Sequence, residues 1–253
     1  MRLTDRTAFI TGSSRGIGAA IARRLAADGA AVVLHASRSA DRVEQLAEEI
    51  RANGGKADFV LGDVTEGETS AQLVRDAFAV HGALDILVCN AGGGLLGPLE
   101  SLGSEQIDAI LALNLRSVIL ATAEFARLTQ SAHGRVVLVS SAAAVHPAAG
   151  ATIYSAAKGG ADAFIRSAAQ ELGPRGITLN SVQPGMTVTE MLSDQNWIDT
   201  VSGWTAMGRV GEPQDIADVV AFLASDEARW LTGTVIPASG GQITSATNII
   251  ARM

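Results

Sequence analysis

The chain has 253 residues, a size that fits one large α/β domain or two small ones. Apolar residues make up 47% of it, which supports a sizeable core and argues against disorder, and a net charge of −7 with no basic stripe argues against a nucleic-acid partner. No apolar run approaches the roughly 18 to 20 residues of a membrane span, residues 1–10 lack the layout of a secretory leader, and the one cysteine, Cys89, cannot form an internal disulfide, which fits a reducing cytoplasm.

Residues 7–11 (TAFIT) read as a strand, and 16–28 as a helix stopped by Gly29. A second strand is expected at 31–35 (AVVLH), followed by a charged amphipathic helix over 40–53 that ends at Gly54-Gly55. Further strands are expected at 57–61, 86–89, 136–140, 178–182 and 234–237, with helical stretches between most of them. Continuous apolar strands alternating with helices indicate a parallel sheet covered on both faces. Right-handed crossovers then make an α/β, doubly wound Rossmann-type sheet with helices on both faces. No long linker, repeat or low-complexity segment divides the chain, so residues 1–253 are expected to form a single dinucleotide-binding and catalytic domain. The least regular stretch, 184–210, carries Trp197 and Trp204 beyond a strand's carboxyl end, and about 186–210 is expected to form a substrate lid.

The first strand runs into Gly12, Ser13, Ser14, Arg15, Gly16, Ile17 and Gly18. Glycine permits the tight turn and lets a pyrophosphate approach the positive end of the next helix. The strand-to-helix setting gives this loop its weight, since glycine spacing alone is weak. After the second strand comes His35-Ala36-Ser37-Arg38, with no acid to bind a ribose 2′-hydroxyl. Arg15 and Arg38 can pair with a 2′-phosphate and Ser37 can donate to it, so NADP(H) is favoured, with NAD(H) possible. Asp63-Val64 follows the third strand, where a carboxylate can meet the adenine amino group. Asn90-Ala91-Gly92 follows the fourth, where small residues let backbone approach a cofactor.

Tyr154 and Lys158 stand four residues apart at the start of a helix continuing to about residue 172, on one helical face. A neighbouring cation stabilises phenolate, and the expectation is a tyrosine pKa lowered from near 10. Ser140-Ser141 closes the strand before that helix and offers a hydroxyl for a carbonyl oxygen. No metal-ligating cluster stands out.

These motifs, with Asn114 and Pro184-Gly185, occur in the order seen in single-domain short-chain dehydrogenases/reductases, which the chain resembles over essentially its whole length. Gly208-Arg209-Val210-Gly211-Glu212-Pro213 and Thr232-Gly233 extend the likeness. The resemblance selects Ser141 within the serine pair. It implies that Tyr154 exchanges a proton with the substrate oxygen, Lys158 binds the nicotinamide ribose and lowers the tyrosine pKa, Ser141 orients the oxygen, and Asn114 holds a water. It assigns Pro184, Gly185, Val188 and Thr189 to the nicotinamide carboxamide, with Val188 giving a backbone donor. It also implies a homotetramer joined through the Tyr154 helix and the one before it, where Ala156, Ala157, Gly159, Gly160, Ala161 and Ala163 leave room for another backbone.

Cys89, Ala157 and Ser239 depart from frequent family residues without removing a group the mechanism needs. The leading functional reading is a cytoplasmic carbonyl reductase resembling 3-oxoacyl-carrier-protein reductases, acting on a small molecule, with no membrane partner. An alcohol, sugar-alcohol or steroid dehydrogenase is the alternative, and the complete catalytic set speaks against a non-catalytic cofactor-binding regulator. His146 reads as a loop residue near the pocket, Cys89 as a packed side chain, and Met191, Trp197 and Trp204 as either substrate-facing or packed onto the core.

Overall fold

The computed structural model describes residues 2–94, 96–190 and 195–242, with only the backbone of 195–197. Among the described residues, seven strands form one parallel sheet in the order β3-β2-β1-β4-β5-β6-β7. They are β1 Thr7–Ile10, β2 Ala31–Ala36, β3 Lys56–Leu61, β4 Ile86–Cys89, β5 Arg135–Val139, β6 Thr178–Pro184 and β7 Val235–Ala238. β1, β4, β5 and β6 are buried along their whole length, as expected of strands with helices over both faces.

One face is covered by α1 (Gly16–Ala27), α2 (Ala40–Ala52) and α8 (Pro213–Ala224). The other carries α3 (Thr69–His81), α5 (Ser117–Leu128) and α6 (Thr152–Leu172). Each helix turns one apolar stripe inward: in α1 it is Gly18, Ala19, Ile21, Ala22, Leu25 and Ala26. Two further described helices are α4 (Ser104–Leu111), which packs against α6, and α7 (Gln195–Ser202). Because β1 pairs with both β2 and β4, the chain reverses its winding between β1 and β4. The loops leaving the carboxyl ends open a crevice there.

Two features of the helices bear on what the sequence led one to expect. The rod formed by α4, a wide π turn at Ala112–Arg116 and α5 covers 25 residues and is, by length and composition, apolar enough to cross a membrane. Its apolar positions are instead those of a core helix, with Val118, Ala121 and Phe125 buried beneath α3 and α6. Nor are all the small residues of α6 available to a second chain. Ala157 and Ala161 are fully buried in the protein's own core, and Gly160 faces Leu115, leaving Ala156 and Ala163 exposed.

Candidate active site

A cleft of about 1020 Å³ runs along the carboxyl edge of the sheet. Its lining includes Gly12, Ser14, Arg15, Gly16, Ile17 and Gly18 from the first turn, and Asp63, Val64, Asn90, Ala91 and Gly92 from the turns after β3 and β4. Gly12 has φ +65°, and a Cβ there would lie 2.9 Å from the Ala91 Cα. A Cβ on Gly18 would fall 2.3 Å from the Gly12 carbonyl oxygen. The turn is held from below, since Asn90 Nδ2 donates to the carbonyls of Thr11 and Gly12, each at 3.0 Å. This bare backbone at the start of α1 fits a dinucleotide pyrophosphate.

At the end of the cleft beside β2 and β3 the polar groups are already engaged with one another. Ser37 Oγ donates to Asp63 Oδ2 at 3.2 Å, while Asp63 Oδ1 accepts from Thr65 N at 2.9 Å and Thr65 Oγ1 at 2.7 Å. Those Thr65 bonds, with Ser37 and the charge of Arg38, hold the Asp63 carboxyl below its usual range. Arg15, expected to pair with a 2′-phosphate, here pairs through Nη1 with Glu190 Oε2 at 3.2 Å. Arg42, on the first turn of α2, grips the same carboxylate at 2.8 and 2.9 Å. Sequence reading missed both Arg42 and Glu190, because neither belongs to a motif and they meet across 148 positions.

Toward the middle of the cleft, Ser140 and Ser141 follow the end of β5, and α6 presents Tyr154 and Lys158. Lys158 is 3% exposed and donates from Nζ to the Val139 carbonyl at 2.9 Å. Its Nζ lies 5.9 Å from the centroid of the Tyr154 ring. Burial pushes the Lys158 pKa down to about 8, opposed by the charge of Asp162 one turn further along α6. Asp162 is itself buried and accepts from Ser181 Oγ at 2.6 Å and Gln183 Nε2 at 2.8 Å. This carboxylate was not singled out in the sequence.

The Tyr154 pKa moves opposite to the expected direction. Burial raises it, and hydrogen bonding with Ser141 offsets only part of that rise. With the lysine held on Val139, desolvation outweighs any help to phenolate, and the phenol keeps its proton at neutral pH. Asn114, fully buried in the π turn, donates from Nδ2 to Gly93 O at 2.8 Å and Ile110 O at 3.0 Å, while Gly93 N donates to Oδ1 at 3.2 Å. One acceptor position on its amide remains. A Cβ on Gly92 would lie 3.0 Å from both Asn114 Oδ1 and Lys158 Nζ, so these groups flank one point of backbone.

Pro184, Gly185 and Thr189 line the cleft. Val188 does not fit its expected role, because its N–H already donates to Gly211 O at 2.8 Å. Ser239, the unusual residue near the end, sits in a turn where Gln242 N donates to its carbonyl at 3.1 Å. His146 lies at a separate cavity of about 330 Å³, outside the main cleft's lining. Cys89 is buried and its thiol is pushed up to about 12 by desolvation, which leaves it inert. Trp204 is partly exposed, whereas Met191 and the Trp197 side chain lie outside the described residues.

Residues 6–197 match the family described as short chain dehydrogenase. An uncharacterized oxidoreductase of Methylorubrum extorquens is 40% identical over 245 residues, covering 95% of this chain and 98% of that protein. Versicolorin reductase 1 of Aspergillus parasiticus is 36% identical over 256 residues, covering 95% of this chain and 97% of its own. A short chain dehydrogenase from Burkholderia cenocepacia J2315, crystallised in complex with NADP, superposes with a TM-score of 0.91 at 39% identity, covering 95% of this chain and 99% of that one.

Proposed function

The chain belongs to the short chain dehydrogenase family, and on that premise we propose that it is an NADP(H)-dependent reductase converting a ketone to a secondary alcohol. The observation that carries this reading is geometric: Tyr154, Ser141 and Lys158 together line the cleft, with Ser141 hydrogen-bonded to the tyrosine and Lys158 Nζ 5.9 Å from its ring centroid. So placed, Tyr154 can serve as the general acid that a ketone reduction needs.

Bound nicotinamide supplies the hydride. Ser141 orients the substrate oxygen by a hydrogen bond, and Tyr154 donates its proton to that oxygen as negative charge develops there. Lys158, fixed on the Val139 carbonyl, holds positive charge close to the tyrosine and offers a donor to ribose hydroxyls. Asn114 keeps the Gly93 backbone beside Lys158 and offers its last acceptor position to a water. Gly12, Ser14, Gly16, Ile17, Gly18, Asp63, Val64, Asn90 to Gly92, Pro184, Gly185 and Thr189 bind the cofactor, with Arg15, Ser37 and Arg38 at its 2′-phosphate. NADP in the Burkholderia relative's crystal structure supports the cofactor choice.

A ketone carried on a 3-oxoacyl chain is the substrate class we put first. The likeness to versicolorin reductase 1 adds versicolorin to the panel. The whole chain acts as one unit, with residues 186–210 as the lid, in a cytoplasmic homotetramer. The test is NADPH absorbance with 3-oxoacyl thioesters, aromatic ketones and simple alcohols. Turnover of ketones with NADPH supports the reading, and turnover of alcohols with NAD⁺ alone overturns it.

A further inference from the structure

Residues 184–190 leave β6 and pass over the glycine turn: a Cβ on Gly16 would lie 3.5 Å from Thr189 Cγ2. The next residue, Glu190, reaches across the mouth of the cleft. One carboxylate there satisfies two guanidinium groups, from the turn after β1 and from the first turn of α2. The three side chains remain 55%, 52% and 49% exposed for Arg15, Glu190 and Arg42, so water screens the pairs and they exchange readily. Burial contributes nothing to holding Glu190 in place. Its carboxyl lies below the usual range because of hydrogen bonds from Arg42 first and Arg15 second.

Two positive charges share one negative, so the cluster still attracts anions when closed. This holds although the chain as a whole carries −7. A phosphate monoester brings more charge and three acceptor oxygens to the same forked donors, and so outcompetes a carboxylate. We propose that Glu190 is a built-in competitor for the cofactor's 2′-phosphate. It occupies Arg15 and Arg42 in the free protein, and binding of a 2′-phosphorylated nucleotide exchanges carboxylate for phosphate. Arg42 then joins the phosphate site, and Glu190 sets how strongly NADPH is preferred over NADH. An unphosphorylated ribose has nothing to exchange, so NADH affinity is insensitive to Glu190 by comparison.

This inference rests on the NADP(H) reading and is tested separately from it. Dissociation constants for NADPH, NADH and adenosine 2′,5′-bisphosphate are measured on the wild type, Glu190→Gln and Arg42→Gln. In the wild type, the NADH-to-NADPH ratio of dissociation constants tests the cofactor reading alone, and a ratio of one would refute that reading. In Glu190→Gln the ratio should rise roughly two- to fivefold, the size of one exposed ion pair, with the bisphosphate tightening in step. In Arg42→Gln it should fall about tenfold, as loss of a charged hydrogen bond predicts. A preference for NADPH that Glu190→Gln leaves unchanged or lowers overturns the exchange. Equal weakening of NADPH and NADH would show Glu190 to be a clasp over the cofactor, which also overturns it.

Discussion

The Gly12 N–H donates to Nδ1 of His35 at 2.9 Å, tying the glycine turn to the second strand. His35 is 2% exposed, and its Nε2 lies 2.9 Å from the Gly62 carbonyl. A carbonyl only accepts, so Nε2 carries the hydrogen and Nδ1 is the bare acceptor. Burial lowers the His35 pKa, with Gly62 and Asp63 opposing. As pH falls below 6.5 the unfolded chain takes up the proton first, so stability drops until the lower folded value is reached. Urea unfolding midpoints should therefore fall between neutral and mildly acid pH in the wild type and change less in His35→Gln. Parallel slopes for the two proteins would refute this.

Tyr154 is the chain's single tyrosine, so phenolate difference absorbance reports on it alone. In the free protein it should titrate above its ordinary value near 10, because burial dominates. Tyr154→Phe should bind NADPH normally and lose about 10²- to 10⁴-fold in turnover. A near-parental rate from a folded, NADPH-binding variant would reject the acid role.

Lys158 releases its proton at about 8 in the folded chain, against 10.5 when unperturbed. Across that window the unfolded chain holds the proton and the folded chain does not, so stability rises with pH. Lys158→Met should lack this rise as well as activity. Denaturation of both proteins across that range checks it, and an identical pH dependence would count against the buried ammonium.

Gly18→Ala should distort the cofactor turn. Its Cβ would meet the Gly12 carbonyl at 2.3 Å and Asn90 Nδ2 at 2.5 Å, and backbone cannot swing aside as a side chain can. Overpacking of this kind costs about 1–3 kcal/mol. Lower melting temperature together with weaker NADPH binding is expected, and an unchanged affinity would place the pyrophosphate elsewhere.

Light scattering at micromolar concentration should give the mass of four chains, with α5 and α6 forming one interface. A stable monomer would contradict the assembly. Ala156→Arg, at an exposed position of α6, should split the tetramer without disturbing the core.

Strand positions were legible because burial on both faces demands unbroken apolar runs, and β4 matches its expected bounds. The errors fall at strand ends. Thr11 leaves β1 to accept from the backbone of Asn90 and Ala91 through Oγ1, and Arg135 opens β5 as a buried cation paired with Asp226. Hydrophobic patterning weighs neither. The glycine turn, Tyr154 and Lys158 announce themselves by local spacing, whereas His35, Arg42, Asp162 and Glu190 acquire meaning only from partners on other strands and loops. The tyrosine's protonation depended on a balance that sequence does not weigh, because desolvation is a property of the folded surroundings.

The wide turn at Ala112–Arg116 has a consequence for deletions in this helix. A π turn accommodates one surplus residue while the helical faces before and after it keep their alignment. Asn114 uses that surplus to reach Gly93, borrowing the Ile110 carbonyl as a second anchor. Deleting a single residue here would let 104–128 wind as an uninterrupted α-helix with both packed faces intact, and would withdraw Asn114 from Lys158. The irregularity thus belongs to the site more than to the helix, and a one-residue deletion here is expected to cost turnover before it costs the fold.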